Sequence, residues 1–508
     1  TNNEFPAFAN TRTLAEIQMK HLVTIIILTI TLNSFGQRFQ FDKTKISIQT
    51  KTIVAKIEKK NMLMGSAVGN GGTRPKQFDN FTELQTAATK SELEELTNHP
   101  NGVVRCYSFW ALTYDSSSNL LPIVIKHIPD DENVSTMFGC IVSGEKVGDF
   151  FISLITPQYV DLNSKKLTPE EFNYLDSILF YTPNKLYAKE NAINRTQLSE
   201  ASYERVRELV LKENNQSALV TLAKFKRKQD IPLILSNKLT GERYDQLFFT
   251  YKAISEFPDN AFLPLLKKSL YEAIDKGAWS TEWRELYKAI ASYKNDTALQ
   301  LLKVPFTQTK HENIRQYHID FIFGAVQDFY TPIYDELLWT MWENEKKINT
   351  KVFNLLYPTN TDKAFQLTKK TIQNADDFYY LNSGSYNEDE ETSVNLLAVM
   401  LDSVLVRDRP YAIELINKNI REINVHQFPT FADKALKLGD TSFISSLFDR
   451  LKTEDNPHIY LKATEVLIAL KDKEINKRIV EVSKTNPALR KDWGGKEFAK
   501  LLKNNGIR

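Results

Sequence analysis

The sequence predicts an all-α fold, a superhelix built from stacked helical pairs. Two observations carry this: a phrase that returns at near-constant spacing, and the placement of prolines. Tyr251-Lys252-Ala253-Ile254, Tyr287-Lys288-Ala289-Ile290 and Phe323-Gly324-Ala325-Val326 each stand 36 residues after the last. Ala435-Leu436-Lys437-Leu438-Gly439-Asp440 is echoed 32 residues on by Leu467-Ile468-Ala469-Leu470-Lys471-Asp472. Phe109-Trp110-Ala111-Leu112 and Leu222-Ala223-Lys224-Phe225 belong to the same pattern. A period of this size is that of a helix-turn-helix unit, which buries its apolar face only by stacking on its neighbours. Pro232, Pro264, Pro332 and Pro410 fall at or near the start of each pair's second helix, where the first amides have no intrahelical acceptor. Stacks of this kind present long surfaces, so the predicted class is a protein-binding scaffold whose partner the residues do not name.

Composition agrees with a globular chain. Of 508 residues, 42% are hydrophobic and 25% charged, with 65 basic against 63 acidic side chains. A net charge of +2 argues against nucleic acid, which needs a basic stripe. The densest basic run, Phe225-Lys226-Arg227-Lys228, is too short to follow a strand.

The N-terminus reads in three parts. Residues 19–36 run from Met19-Lys20-His21 through the apolar stretch Leu22–Leu32 to Ser34 and Gly36, small residues at the −3 and −1 positions of a cleavage site. That is the layout of a secretory signal peptide, which is too short to span a membrane comfortably. Residues 1–18, with no Met of their own, read as over-extended translation. The Ser-Phe-Gly-Gln ending resembles signals of Bacteroidetes bacteria, which implies a periplasmic, cell-surface or secreted destination. After cleavage no transmembrane segment is expected.

Residues 37–77 read as an extended N-terminal segment, with a short strand or arm at 38–60 and a linker or capping loop around Gly65, Gly69, Gly71 and Gly72. A phosphate-cradling loop would end in Gly-Lys-Ser/Thr, which is missing here. Helical periodicity is expected from Phe78, and repeats occupy 78–144. Residues 145–198 break the rhythm, as a modified repeat or an insertion. There Thr168-Pro169-Glu170-Glu171 is a helix start, with Thr as cap and Glu reaching back, and Thr182-Pro183-Asn184-Lys185 resembles another. Helical pairs then run over 199–508. The acidic run 382–392 reads as a solvated loop or a docking site for a basic partner. Asp492-Trp493-Gly494-Gly495 reads as a helix break within a terminal cap.

From His99 to Gly139 the chain resembles the HEAT-repeat family, including its bilin-lyase-like branch. The matching residues are His99-Pro100-Asn101, Val104-Arg105, Ala111-Leu112, Pro122, Asp130-Asp131 and Val134. The resemblance implies that Arg105 and Asp130 or Asp131 form a structural ladder tying repeats together. Ser135 departs from it, standing where the second repeat should carry its Arg.

No catalytic set assembles from the sequence, so an enzyme is not expected and no cofactor is implied. His311-Glu312 and His318 lack the i, i+4 spacing of a helical zinc site. The nucleophile-elbow, kinase and dinucleotide motifs are missing. Cys106 and Cys140, the two cysteines, are placed in the first helices of successive units. Neighbouring helix axes lie about 8–10 Å apart, which is marginal for a bridge, so free buried thiols and a disulfide both stay open. The aromatic clusters Trp279/Trp283, Phe329/Tyr330/Tyr334 and Trp339/Trp342 have helical spacing and read as core, or as anchors if exposed. Two further readings stand beside the scaffold: a lyase- or hydrolase-type envelope enzyme with its site in 145–198 or near the Gly-rich segment, and a carbohydrate-binding module.

Overall fold

The 36-residue phrase marks the same place in three consecutive stacked helices. Ala253, Ala289 and Ala325 are all buried, and a side chain of one carbon lets neighbouring backbones approach closely. In the computed structural model, residues 39–156, 161–237, 246–377 and 395–507 are described. The proposed signal peptide, the residues before it and the acidic run 382–392 lie outside them. The described residues hold 26 α-helices and one three-stranded sheet, an all-α fold with a small β element. The chain divides into two compact units, Thr1–Glu242 and Arg243–Arg508. None of the described helices is long and apolar enough to cross a membrane.

The first unit opens with α1 (Ile48–Lys60), β1 (Leu63–Val68), α2 (Lys76–Ala87), α3 (Lys90–Leu96), α4 (Gly102–Thr113) and α5 (Leu120–Lys126). It continues with β2 (Asn133–Gly139), β3 (Ile141–Lys146), α6 (Val147–Ile155), α7 (Pro169–Tyr181), α8 (Tyr187–Arg195), α9 (Glu200–Glu213), α10 (Gln216–Lys224) and α11 (Ile231–Ser236). Helices α4, α6, α8 and α10 pack in a row, each on the next but one in sequence. Every residue of α4 is buried, so this row is the inner layer. The segment 145–198 holds α6 to α8, of which α6 and α8 continue the row.

In the second unit come α12 (Phe248–Glu256), α13 (Leu263–Ile274), α14 (Glu282–Ala291), α15 (Asp296–Gln308), α16 (Glu312–Asp328), α17 (Asp335–Glu345), α18 (Thr350–Leu356) and α19 (Thr361–Ile372). After them follow α20 (Leu396–Arg407), α21 (Arg409–Glu422), α22 (Phe428–Leu438), α23 (Phe443–Thr453), α24 (Pro457–Ala469), α25 (Lys473–Thr485) and α26 (Asp492–Asn504). Here α12, α14 and α16 form one row and α13 and α15 the facing one. Near the C-terminus α20, α22, α24 and α26 stack beside α21, α23 and α25. The 32-residue echo has a backbone meaning: Gly439 and Lys471 both take the left-handed conformation, at φ +60° and +56°, and end α22 and α24. The next residue, Asp440 or Asp472, then accepts an amide hydrogen from two residues on and starts the following helix.

Helix starts follow the sequence closely in places. Pro232, Pro264 and Pro410 sit in the first turns of α11, α13 and α21, and Thr168 and Glu171 form a reciprocal capping box on α7. Four expectations need correction. Residues 48–60 are a helix, not an extended arm: Thr50, Ile53, Val54 and Ile57 recur at i, i+3, i+4, i+7 and are buried, with Ser47 as cap. Val134 does not open a second helix. Alternating burial of Val134 and Thr136 against exposed Asn133 and Ser135 is a strand pattern, and β2 pairs in parallel with β1 and antiparallel with β3. Thr182 ends α7 rather than starting a helix. Asp492-Trp493-Gly494-Gly495 is the first turn of α26, where Gly494 and Gly495 leave room for Tyr460 and the backbone of Arg490.

Ala289→Leu should lower stability by about 1–3 kcal/mol, because the stacked rows leave no space for three further carbons. Urea unfolding of the variant against the parent measures it.

Candidate functional site

The side chains richest in chemistry meet where α3, α4 and the turn after α5 converge. Arg105, in the first turn of α4, grips Asp130 with two hydrogen bonds, Nε to Oδ2 at 2.9 Å and Nη2 to Oδ1 at 3.0 Å. Its Nη1 donates to the carbonyls of His99 and Pro100, and Nη2 also reaches Glu132 at 2.5 Å. The Arg105 and Asp130 side chains are only 3% and 1% exposed. Burial alone would lower the guanidinium pKa, but the two carboxylates outweigh it and hold the charge firmly. On the other side of Asp130, His127 Nδ1 lies 3.2 Å from Oδ2. With the proton on that nitrogen, the buried Nε2 is an acceptor with no partner among the described residues.

Phe39 and Phe41 roof this centre. Phe39 stacks on His127 at 4.2 Å and lies under the Arg105 guanidinium, while Phe41 meets the edge of His99. The roof is pinned by α3: Asp42 N donates to Glu95 and Ser47 N to Glu92, each at 2.7 Å. Beneath is a cavity of about 370 Å³ lined by Phe39, Phe41, His99, Arg105, Asp130 and Glu132, among others. Burial, and then the nearby Arg105, depress the His99 pKa to about 4, so the ring is neutral at pH 7 and Nδ1 accepts from Asn101 N. Every charge here has an internal partner, which suits a structural clasp better than a reacting centre.

The residues singled out from the sequence separate in space. Arg105 and Asp130 meet, whereas the Asp131 carboxylate lies 3.9 Å from Lys185 Nζ at the surface. Cys106 is buried in α4 beside Arg105, and burial pushes its thiol pKa well up. Cys140 is not in a helix. It occupies the exposed two-residue turn between β2 and β3, next to Gly139 at φ +56°, and both thiols are free. Among the described residues no three His, Cys, Asp or Glu side chains are grouped to hold a metal. His318 is fully buried under Trp283 at 4.1 Å, with Nδ1 bonded to the Tyr287 hydroxyl at 2.6 Å.

Sequence reasoning missed His127, Glu132 and the two roofing phenylalanines. Of the aromatic clusters that the sequence left open between core and exposed anchors, one has an exposed member in the second unit. Trp283, Tyr334, Trp339 and Trp342 are core, but Trp279 sits in the α13–α14 loop, 48% exposed, stacked at 5.3 Å on Tyr317 of α16. Phe321 lies one turn on, with Arg284 of α14 over its ring. Helical spacing grouped Trp279 with Trp283, although the helix begins only at Glu282. In the segment 145–198, burial and then Asp149 push the Glu145 carboxyl up to about 7. Asp149 itself accepts the amides of Tyr187 and Ala188 and so caps α8.

Asp130→Ala strands a buried guanidinium and should cost about 3–5 kcal/mol, far more than Asp131→Ala, by chemical denaturation. His318 sets a pH dependence: burial holds its folded pKa near 4 against 6.5 for the free ring. The unfolded chain takes up the proton first, so the stability contributed by His318 is complete above 6.5 and is lost as pH falls toward 4. The loss between about pH 7 and about pH 5 should be near 2 kcal/mol, and His318→Gln should remove that share. Glu145 acts with the opposite sign, favouring the folded state below its unfolded pKa and losing that contribution as pH rises through about 7.

No family model matches this chain, and no curated protein or solved structure matches it at a significant level.

Proposed function

We propose that this protein is a non-catalytic scaffold that grips another protein along its stacked helical pairs, and that it is exported to the periplasm or cell surface of a bacterium. One observation carries the binding reading: the exposed Trp279–Tyr317 stack with Phe321 and Arg284. Large rigid aromatics and arginine are the side chains that dominate binding energy at protein interfaces, and burying an indole surface left half in water is favourable. The three elements that supply them belong to adjacent members of one stack, so the patch depends on the stacking itself. The export reading rests on the sequence of residues 19–36 alone, and the HEAT-repeat resemblance on residues 99–139.

Two other readings have their own support. A flat indole exposed beside a tyrosine also suits the apolar face of a sugar ring, the carbohydrate-binding alternative. Glu145, half-protonated near neutral pH, is the kind of group an acid–base enzyme would use. It lines neither the cavity under Phe39 and Phe41 nor the one beside Lys59 and Lys60, and its neighbour Asp149 is committed to capping α8. The scaffold reading therefore leads.

Affinity capture with the chain from Gln37 onward, from bacterial envelope extracts, should retain a stoichiometric protein. Trp279→Ala/Tyr317→Ala should lose it with little change in unfolding midpoint. Equal capture by the double variant would count against this patch, and retention of a glycan instead of a protein would favour the carbohydrate reading.

A further inference from the structure

A second cavity in the first unit lies away from the Arg105 clasp, between the last turn of α1, β1 and the first turn of α2. It encloses about 860 Å³, within the usual range for small-molecule sites. Four lysines line it, Lys56, Lys59 and Lys60 from α1 and Lys76 from α2. Its two carboxylates pair with only one of them. Glu83 is taken by Lys56 at 2.8 Å and Asp79 by Arg74 at 2.6 Å. Lys59, Lys60 and Lys76 have no carboxylate within ion-pair distance among the described residues. Three positive charges thus line one concavity, which raises the local potential for an anion.

The wall is shaped by buried amides. Gln77, 3% exposed, donates from Nε2 to the carbonyls of Ile57 and Met62 and so locks α2 against the end of α1. Its Oε1 accepts from Asn80 Nδ2 at 3.1 Å. Asn80, a cavity-lining residue 8% exposed, thus has an Oδ1 that no donor among the described residues reaches. Helix α2 begins at Pro75 with no side-chain cap, so the amides of Lys76 and Gln77 stay open and add to the positive field. Met64 and Pro75 supply an apolar wall.

We propose that this cavity binds a phosphomonoester of a small polyhydroxy compound, a sugar phosphate in chemical class. Lys59, Lys60 and Lys76 would hold the phosphate, Asn80 Oδ1 would accept from a hydroxyl, and the carbon face of the sugar would lie on Met64 and Pro75. A plain inorganic anion satisfies only the first of these three features. A neutral sugar satisfies only the other two.

Isothermal titration of the chain from Gln37 onward with glucose 6-phosphate, inorganic phosphate and glucose tests this. Glucose 6-phosphate should bind, inorganic phosphate at least about tenfold more weakly, and glucose not measurably up to about 10 mM. Lys59→Gln/Lys60→Gln/Lys76→Gln should weaken the hexose phosphate by at least about tenfold. These side chains are exposed, so the unfolding midpoint of the triple variant should stay close to that of the parent. Equal binding by the triple variant overturns the site. Equal affinity for inorganic phosphate overturns the polyol assignment, and no binding of the hexose phosphate by the parent overturns the proposal altogether.

Discussion

Each helical pair in this chain has an apolar face it cannot cover alone, and the next pair covers it. That need for a neighbour fixes the architecture, because every second helix must return to the same row at a distance its side chains allow. Where the row must be tight, the residue is alanine: Ala253, Ala289 and Ala325 in one stack, and Ala111 and Ala223 in the other unit. The turns obey the same demand. A left-handed residue followed by an aspartate reverses the chain in four residues at 439–442 and again at 471–474. A longer or looser turn would let the following helix miss its place in the row.

The Arg105 clasp solves a different problem. The turn after α5 must hand the chain from helix to strand, and it carries carbonyls and amides that no regular structure satisfies. Arg105 takes up the carbonyls of His99 and Pro100 on one side and Asp130 on the other, so one side chain fastens both ends of α3–α5 to α4. A buried ion pair gains little net energy over apolar packing but is expensive to break. Its value here is positional: it fixes where β2 starts and thus the register of the sheet. Phe39 and Phe41 close over it, which makes the chain just before α1 part of the clasp.

What could be read from the sequence follows from how local each signal is. The 32- and 36-residue echoes, the prolines and the Thr168 capping box act within one turn of helix, and the structure places them as expected. The pairing of Arg105 with Asp130 was legible through resemblance to a repeat pattern, but the choice of Asp130 over Asp131 depends on where His127 and Glu132 stand. The β2–β3 hairpin was masked by that same resemblance, although Val134 and Thr136 alternate with polar neighbours and Gly139 marks the turn. The helix over 48–60 was hidden by its lysines, which line the exposed face while Ile53, Val54 and Ile57 form the buried one. Whether Trp279 is core or exposed stayed open because a four-residue interval says nothing about whether a helix has begun.

The stacking also decides which polar side chains are spent on holding the fold. In a stack, the core is a continuous seam shared by successive helices, and any buried polar group interrupts it unless it is satisfied locally. His318 Nδ1 and the Tyr287 hydroxyl bond each other under Trp283, while His318 Nε2 has no partner among the described residues, and Asp149 spends both oxygens on α8. Groups so committed cannot turn to a ligand without loosening the row they hold. Side chains at the ends and rims of the rows carry no such duty. That is where the unneutralised Lys59, Lys60 and Lys76 gather, and where Trp279 and Tyr317 keep part of their rings in water. The stacking that consumes the interior thus leaves uncommitted aromatic and charged side chains at its rims.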